Sequence, residues 1–218
     1  MQATQILMHP PEQGTSRFWD RIAKKYARTP VPDEAVYQKK LQISRQYFGP
    51  DSQILEIGCG TGSTAIAHAP YVANIRATDI SANMLEIAQG KAQAAGVGNV
   101  QFEQAAINEL DLSTESFDAV LGLSILHLVD DWQAVIAEMY RALKPGGVFI
   151  TSTACIGNMM KLLPLVLPVM KLFRLAPMVK VFTIDELKRG FRDAGFEIEY
   201  DWQPGKGKAL FMVARKPA

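Results

Sequence analysis

Glu56, Asp79 and the three glycines between them have the types and spacing to hold a small ligand against bare backbone. The run Ile54-Leu55-Glu56-Ile57-Gly58-Cys59-Gly60-Thr61-Gly62-Ser63 carries a short apolar strand into glycines spaced two apart. Glycine has no Cβ, so it permits both a tight turn and a close approach of ligand to main chain. A helix that follows such a turn offers unpaired N–H groups at its start. Asp79 ends the next strand about twenty residues on, where dinucleotide sites place an acid against a ribose hydroxyl. The third glycine falls one position early for G-x-G-x-x-G, leaving Ser63 there, and the first lysine after Ile54 is Lys91. A phosphate cradle therefore lacks its cation. The expected ligand is a nucleoside carrying something other than a polyphosphate.

The elements that must position these residues follow from periodicity. Residues 16–48 read as helical, broken at Pro30 and Pro32, with Phe18, Ile22 and Tyr26 at helical spacing. After Gly49-Pro50, strands and helices alternate. Strands are expected at Gln53–Ile57, Ile75–Ile80, Val100–Gln104, Phe117–Leu123 and Val148–Thr153. Helices are expected at Thr61–Ala69, Ser81–Ala95 and Asp131–Leu143. Alternating βα units predict a doubly wound, mostly parallel sheet with helices on both faces. The end differs. Thr183-Ile184-Asp185-Glu186 is a capping box opening a helix to Ala194, and Glu197–Asp201 and Ala209–Arg215 are strands without a helix between them. They must pair as a hairpin, so a seven-stranded sheet should close with its last strand antiparallel.

With 218 residues, 48% apolar usage and a net charge of +1, the chain reads as one domain, 1–218, with no global field favouring nucleic acid. Within it, 1–49 is a helical cover, 50–153 a cofactor-binding core, 154–182 an insertion, and 183–218 the closing helix and hairpin. Cys59 and Cys155 give no disulfide framework, and a cytoplasmic setting is the default. The insertion holds prolines, methionines and the charges Lys161, Lys171, Arg174 and Lys180, with no acidic residue from Ile156 to Val181. Its apolar runs are too short to span a bilayer. It reads either as an apolar lid over a small-molecule substrate or as a peripheral membrane contact through 155–182.

Four segments in this order resemble the class I S-adenosylmethionine-dependent methyltransferases: Leu55 to Gly62; Ala77-Thr78-Asp79-Ile80-Ser81 with Met84; Phe117-Asp118-Ala119-Val120; and Leu143-Lys144-Pro145-Gly146-Gly147-Val148-Phe149-Ile150. The resemblance implies a Rossmann-like sheet and S-adenosyl-L-methionine as cofactor. It implies that Glu56 neutralises the methionyl ammonium, directly or through water, and that Gly58, Cys59 and Gly60 supply the backbone beneath methionyl and ribose. Asp79 would accept the ribose hydroxyls, Ile80 and Met84 would flank adenine, and the backbone of Leu123 and Ser124 would meet the methionyl group. Family members often carry Asp-Ala after the third strand. Ala106-Ile107 stands there, so backbone groups of Ala106 and Ile107, or Gln104, are expected to take over adenine recognition in a more apolar pocket.

The candidates on the acceptor side are His127, as a base or wall of the transfer site, and Tyr26, as a ring facing the sulfonium by a cation–π contact. Trp19, Tyr37 and Cys155 are candidate lid or substrate residues. His9 and His68 read as surface histidines. Asp130-Asp131 reads as a helix cap rather than a metal pair, and no metal site is expected. Three readings of function stay open: methyl transfer to a small apolar or weakly polar acceptor at O, S, N or C; methyl transfer to a quinone or phospholipid headgroup at a membrane surface; and cofactor binding without turnover, as a sensor. Oligomeric state is not legible in these residues.

Overall fold

The computed structural model describes residues 13–159 and 179–218. Seven strands form one sheet: β1 (Gln53–Ile57), β2 (Asn74–Asp79), β3 (Val100–Gln104), β4 (Phe117–Leu123), β5 (Leu143–Thr153), β6 (Glu197–Trp202) and β7 (Leu210–Arg215). Their spatial order is β3-β2-β1-β4-β5-β7-β6. The pairs from β3 through β5 are parallel, and β7 is antiparallel to both β5 and β6. The last strand is thus the antiparallel one, as the hairpin requires. It does not sit at the edge, however: it wedges between β5 and β6. Its burial pattern accounts for this, because Leu210 to Ala214 are all buried while β6 alternates and leaves Glu197, Glu199 and Asp201 on the open edge.

The helices are α1 (Gln13–Arg28), α2 (Glu34–Ser44), α3 (Ser63–His68), α4 (Ala82–Ala94), α5 (Trp132–Ala142), a single turn α6 (Ile156–Met159) and α7 (Ile184–Asp193). Their starts are dictated locally. Asp33, Ser81, Asp131 and Thr183 each accept a bond from the backbone N–H three residues on, and Thr183 with Glu186 closes the expected capping box. Alternate strand residues feed two cores. Leu55, Ile57, Val120 and Phe149 pack with α5 and α7, and Ile54, Leu121, Val148 and Ile150 pack on the opposite face. Strand order reverses between β1 and β4, and a crevice at that switch point is where open α/β sheets bind ligands. The lid expected within 154–182 falls largely on residues 160–178, outside the described residues, as does His9. Among the described residues no helix is long and apolar enough to cross a membrane.

His68 departs from its expected surface position. It is 0% exposed, neither ring nitrogen has a partner, and its ring meets Phe48 edge-on at 5.0 Å. Helical periodicity turns it inward at the end of α3. Burial, and secondarily Arg45, hold its pKa down to about 3. The unfolded chain takes up a proton on this residue as pH falls through about 6.5, and the folded chain does not, so stability is lost from about 6.5 downward. In His68→Leu the fall in unfolding temperature between pH 7 and pH 5 should shrink, as followed by scanning calorimetry. An unchanged slope would show that His68 does not set the acid limb.

Candidate cofactor site

A cavity of 1410 Å³ opens at the carboxyl ends of β1 to β4. Gly58, Gly60, Asp79, Ile80 and Met84 line one part, Gln104 to Leu110 a second, Leu123 to Ile125 a third, and Ser16, Trp19 and Tyr26 of α1 the cover. It continues past Leu128 and Val129 to the start of α5.

Asp79 is the centre of the polar wiring. One carboxylate oxygen accepts from the Gly60 N–H at 2.9 Å and the other from the Ser81 N–H at 2.9 Å. Each oxygen keeps acceptor capacity for a further donor. Burial raises the Asp79 pKa, and the two backbone bonds oppose that rise. The three glycines of the turn differ in what they do. All have positive φ: 66°, 55° and 73° at Gly58, Gly60 and Gly62. A Cβ on Gly58 would come within 2.7 Å of Ile125, and one on Gly62 within 2.8 Å of the Ala88 Cβ. A Cβ on Gly60 would meet nothing nearer than Tyr26 at 4.0 Å. Gly58 and Gly62 therefore serve packing, and Gly60 exposes its backbone to the cavity. The cation missing from the turn arrives from α4, where Lys91 donates to Thr61 Oγ1 at 2.9 Å and Ser63 Oγ at 3.2 Å. Lys91 is not among the cavity-lining residues.

Glu56 lies behind the turn, 3% exposed, and its Oε2 has no partner. Burial, then the Asp79 charge, pushes its carboxyl up to about 8. Ser124 takes the left-handed conformation, φ 66°, at the tip of β4, with its N–H donating to the Ser152 carbonyl at 2.7 Å. Such a backbone in a non-glycine residue is uncommon and gathers at functional sites.

The methyltransferase-domain family matches residues 54–147, the segment that builds this cavity's floor. Over residues 54–147 the chain is similar to methyltransferase domains. It is 35% identical over 110 residues to the uncharacterized methyltransferase YcgJ of Bacillus subtilis, half of this chain and 44% of that protein. It is 32% identical over 147 residues to the demethylmenaquinone methyltransferase of Geobacillus kaustophilus, 64% of this chain and 62% of that one. It spans about half the length of the curated relatives it matches. The crystal structure of YcgJ superposes with a TM-score of 0.67 over 83% of this chain and 99% of that one at 20% identity. The [4+2]-cyclase SpnF superposes with a TM-score of 0.66 over 83% of this chain and 81% of that one at 18% identity. That neighbour shows that the methyltransferase fold alone does not dictate the chemistry.

The residues present fit the family's cofactor. Bare backbone at Gly60 and a carboxylate with free acceptor capacity at Asp79 suit a ribose. The orphaned Oε2 of Glu56 is a buried acceptor waiting for a donor, which an ammonium group or a water bridging to it would satisfy. Ile80, Met84, Ala106, Ile107, Leu123 and Ser124 all line the cavity, as their assignment to the adenine and methionyl parts requires. Gln104 lines it as well, and its Nε2 donates to the Ile80 carbonyl at 3.1 Å, so its Oε1 is left as an acceptor.

The structure does not bring every sequence-named residue to the cavity. Tyr26 and Trp19 line it, with their rings edge-on at 6.4 Å. Tyr26 is 51% exposed at the mouth, and its phenol is held above its ordinary value by desolvation and by Asp79, so it is no base at neutral pH. Glu56, His127, Tyr37, Cys59 and Cys155 are not among the lining residues. The His127 Nδ1 is buried without a partner, and burial lowers the ring's pKa. Tyr37 instead meets Thr64 Oγ1 at 3.4 Å on the far side of the turn. Cys59 contributes backbone, its N–H donating to the Thr78 carbonyl at 2.9 Å. The Cys155 thiol is buried, pushed up to about 12, and directed to the Thr153 carbonyl at 3.7 Å. Asp131 caps α5 as expected, and no metal-binding cluster occurs among the described residues.

Proposed function

We propose that this chain transfers a methyl group from S-adenosylmethionine to a small, largely apolar acceptor. The observation that carries this reading is Asp79, tied by one oxygen to the Gly60 N–H of the turn and by the other to the Ser81 N–H at the start of α4, yet still open to the cavity beside the bare Gly60 backbone. When bound, S-adenosylmethionine supplies a methyl group already activated on a sulfonium, so the chain's task is alignment. Asp79 holds the ribose, Glu56 compensates the ammonium, and Ile80, Met84 and the Ala106-Ile107 backbone hold the adenine, with Gln104 Oε1 as the acceptor for its amino group. Trp19 and Tyr26 cover the methionyl end, exclude water and present ring faces to a cation. The cavity exceeds the roughly 300–1,000 Å³ of a single-ligand pocket. That supports room for an acceptor against Trp19, Ile125, Leu128 and Val129.

A quinol is the acceptor class best supported by the likeness to a demethylmenaquinone methyltransferase. The basic, apolar composition of the insertion supports delivery from a membrane surface. Transfer of a radiolabelled methyl group to a panel of quinols, phenols, thiols and amines tests the reading. Labelled product from a quinol or phenol supports it, and cofactor binding with no product from any member would make the chain a sensor instead.

Glu56 adds a measurable consequence. With its carboxyl at about 8 in the free protein, it is mostly protonated at pH 7, and a cation beside it favours the charged form. Binding of S-adenosylhomocysteine at pH 7 should release a proton, about one per site at most. Titration calorimetry in two buffers of different ionisation enthalpy reads this directly. Equal heats in both buffers would remove Glu56 from cofactor binding.

A further inference from the structure

The cover helix α1 is held in an unusual way. Among its described side chains, residues 16–28, only Ala23 is fully buried, and the helix rests principally on α4. Five cations lie along it, Arg17, Arg21, Lys24, Lys25 and Arg28, with one carboxylate, Asp20. Asp20 Oδ1 accepts from Ser81 Oγ at 2.6 Å and from the Asn83 N–H at 3.1 Å, and the Asn83 side chain donates back to the Asp20 carbonyl at 3.1 Å. Asp20 thereby caps the start of α4 from another helix, where negative charge is favourable. Ser81 is 0% exposed, and its own N–H donates to Asp79. A continuous hydrogen-bonded chain therefore runs Asp20–Ser81–Asp79–Gly60.

We propose that Asp20 is a positioning residue that couples the seating of α1, with Trp19 and Tyr26, to the orientation of the Asp79 carboxylate, so that the cover closes and the cofactor binds as one event. The coupling rests on the assignment of Asp79 to the cofactor. Its physical basis is the shared serine. Undocking α1 removes the acceptor of the Ser81 hydroxyl, the group that also caps α4 through the Met84 N–H, and so loosens the residue whose backbone N–H fixes the Asp79 carboxylate. Docking brings a second negative charge close to Asp79, and Asp20 indeed raises its pKa. Among the described residues neither Asp20 nor Asp79 is ion-paired. A cationic ligand beneath α1 relieves that surplus, so closure over it is favoured, whereas the closed empty site is strained electrostatically.

Hydrogen exchange of the intact chain, with and without S-adenosylhomocysteine, tests this in wild type, Asp20→Ala and Asp20→Asn. Without ligand, amides of residues 13–28 should exchange at least tenfold faster in Asp20→Ala, with residues 184–193 unchanged. Unaltered exchange in 13–28 overturns the latch itself. With ligand, wild type should gain protection across 13–28. Asp20→Ala should gain little and bind S-adenosylhomocysteine about tenfold more weakly, and Asp20→Asn, which keeps an acceptor oxygen, should stay within threefold of wild type. Equal ligand-induced protection in Asp20→Ala, or wild-type affinity in it, overturns the coupling. An Asp79→Ala chain that binds like wild type would instead strike at the ribose assignment, and the coupling would fall with it while the ligand-free latch result stood.

Discussion

Asp79→Ala should bind S-adenosylhomocysteine about 30- to 150-fold more weakly than wild type, from the loss of about 2–3 kcal/mol of hydrogen bonding to a charged group. The expectation follows from geometry rather than from the residue's charge alone. The carboxylate is fixed on one side by the Gly60 and Ser81 N–H groups and presents its remaining acceptor positions to the cavity. Two ribose hydroxyls would bond a group that is already oriented, so little is spent on ordering it. The variant also unties the turn from β2, and a part of the loss will come from a looser Gly60 backbone. Titration calorimetry, beside an unfolding scan that confirms the fold, separates a bound but weakened ligand from an unfolded chain. A loss below threefold would place the ribose elsewhere.

Gly62→Val should lower the unfolding temperature by about 10 °C, whereas Gly60→Ala should leave the fold intact and impair cofactor binding. At Gly62 the backbone is left-handed, φ 73°, and a new Cβ would sit 2.8 Å from the Ala88 Cβ and 3.0 Å from the Phe102 ring. Ala88 cannot move its Cβ without moving α4. Overpacking costs about 1–3 kcal/mol and the left-handed conformation of an L-residue about 1–2 kcal/mol. For a chain of this size each kcal/mol shifts the unfolding temperature by about 2–4 °C. At Gly60 the conformational cost remains, but the added methyl points into the cavity toward Tyr26 and takes space the ligand needs. Scanning calorimetry on Gly62→Val and ligand titration on Gly60→Ala measure the two effects. A stable Gly62→Val chain would mean that α3 and α4 approach less closely than described.

The strands and most helices were legible because their information is local: short apolar runs alternating with helical segments from β1 to β5, caps at Asp131 and Thr183, and glycines where φ turns positive. Position in the sheet is not local. Glu197–Trp202 and Leu210–Arg215 read as a hairpin, yet only the unbroken burial of β7 explains why it, and not β6, lies against β5. The floor of the cavity was legible for the same reason as the strands, since Gly58, Gly60, Asp79 and Ile80 sit within one βαβ unit. The cover was less so. Trp19 and Tyr26 reach the cavity and Tyr37 and His127 do not, a distinction set by how α1, α2 and the β4 tip pack rather than by spacing. Asp20 left a signal, a lone acid in a basic helix, but its partner Ser81 is sixty-one residues away. His68 was misplaced because a histidine at the end of a short helix looks exposed until the sheet behind it is known.

The crystal structure of the chain with S-adenosylhomocysteine bound tests the central claim most directly. The account predicts both ribose hydroxyls within hydrogen-bonding distance of Asp79, the adenine between Ile80 and Ala106-Ile107 with its amino group on Gln104 or the adjacent backbone, and the sulfur beneath Tyr26. A ribose bound away from Asp79, or a ligand that leaves the Gly58–Gly62 turn uncovered, would contradict it.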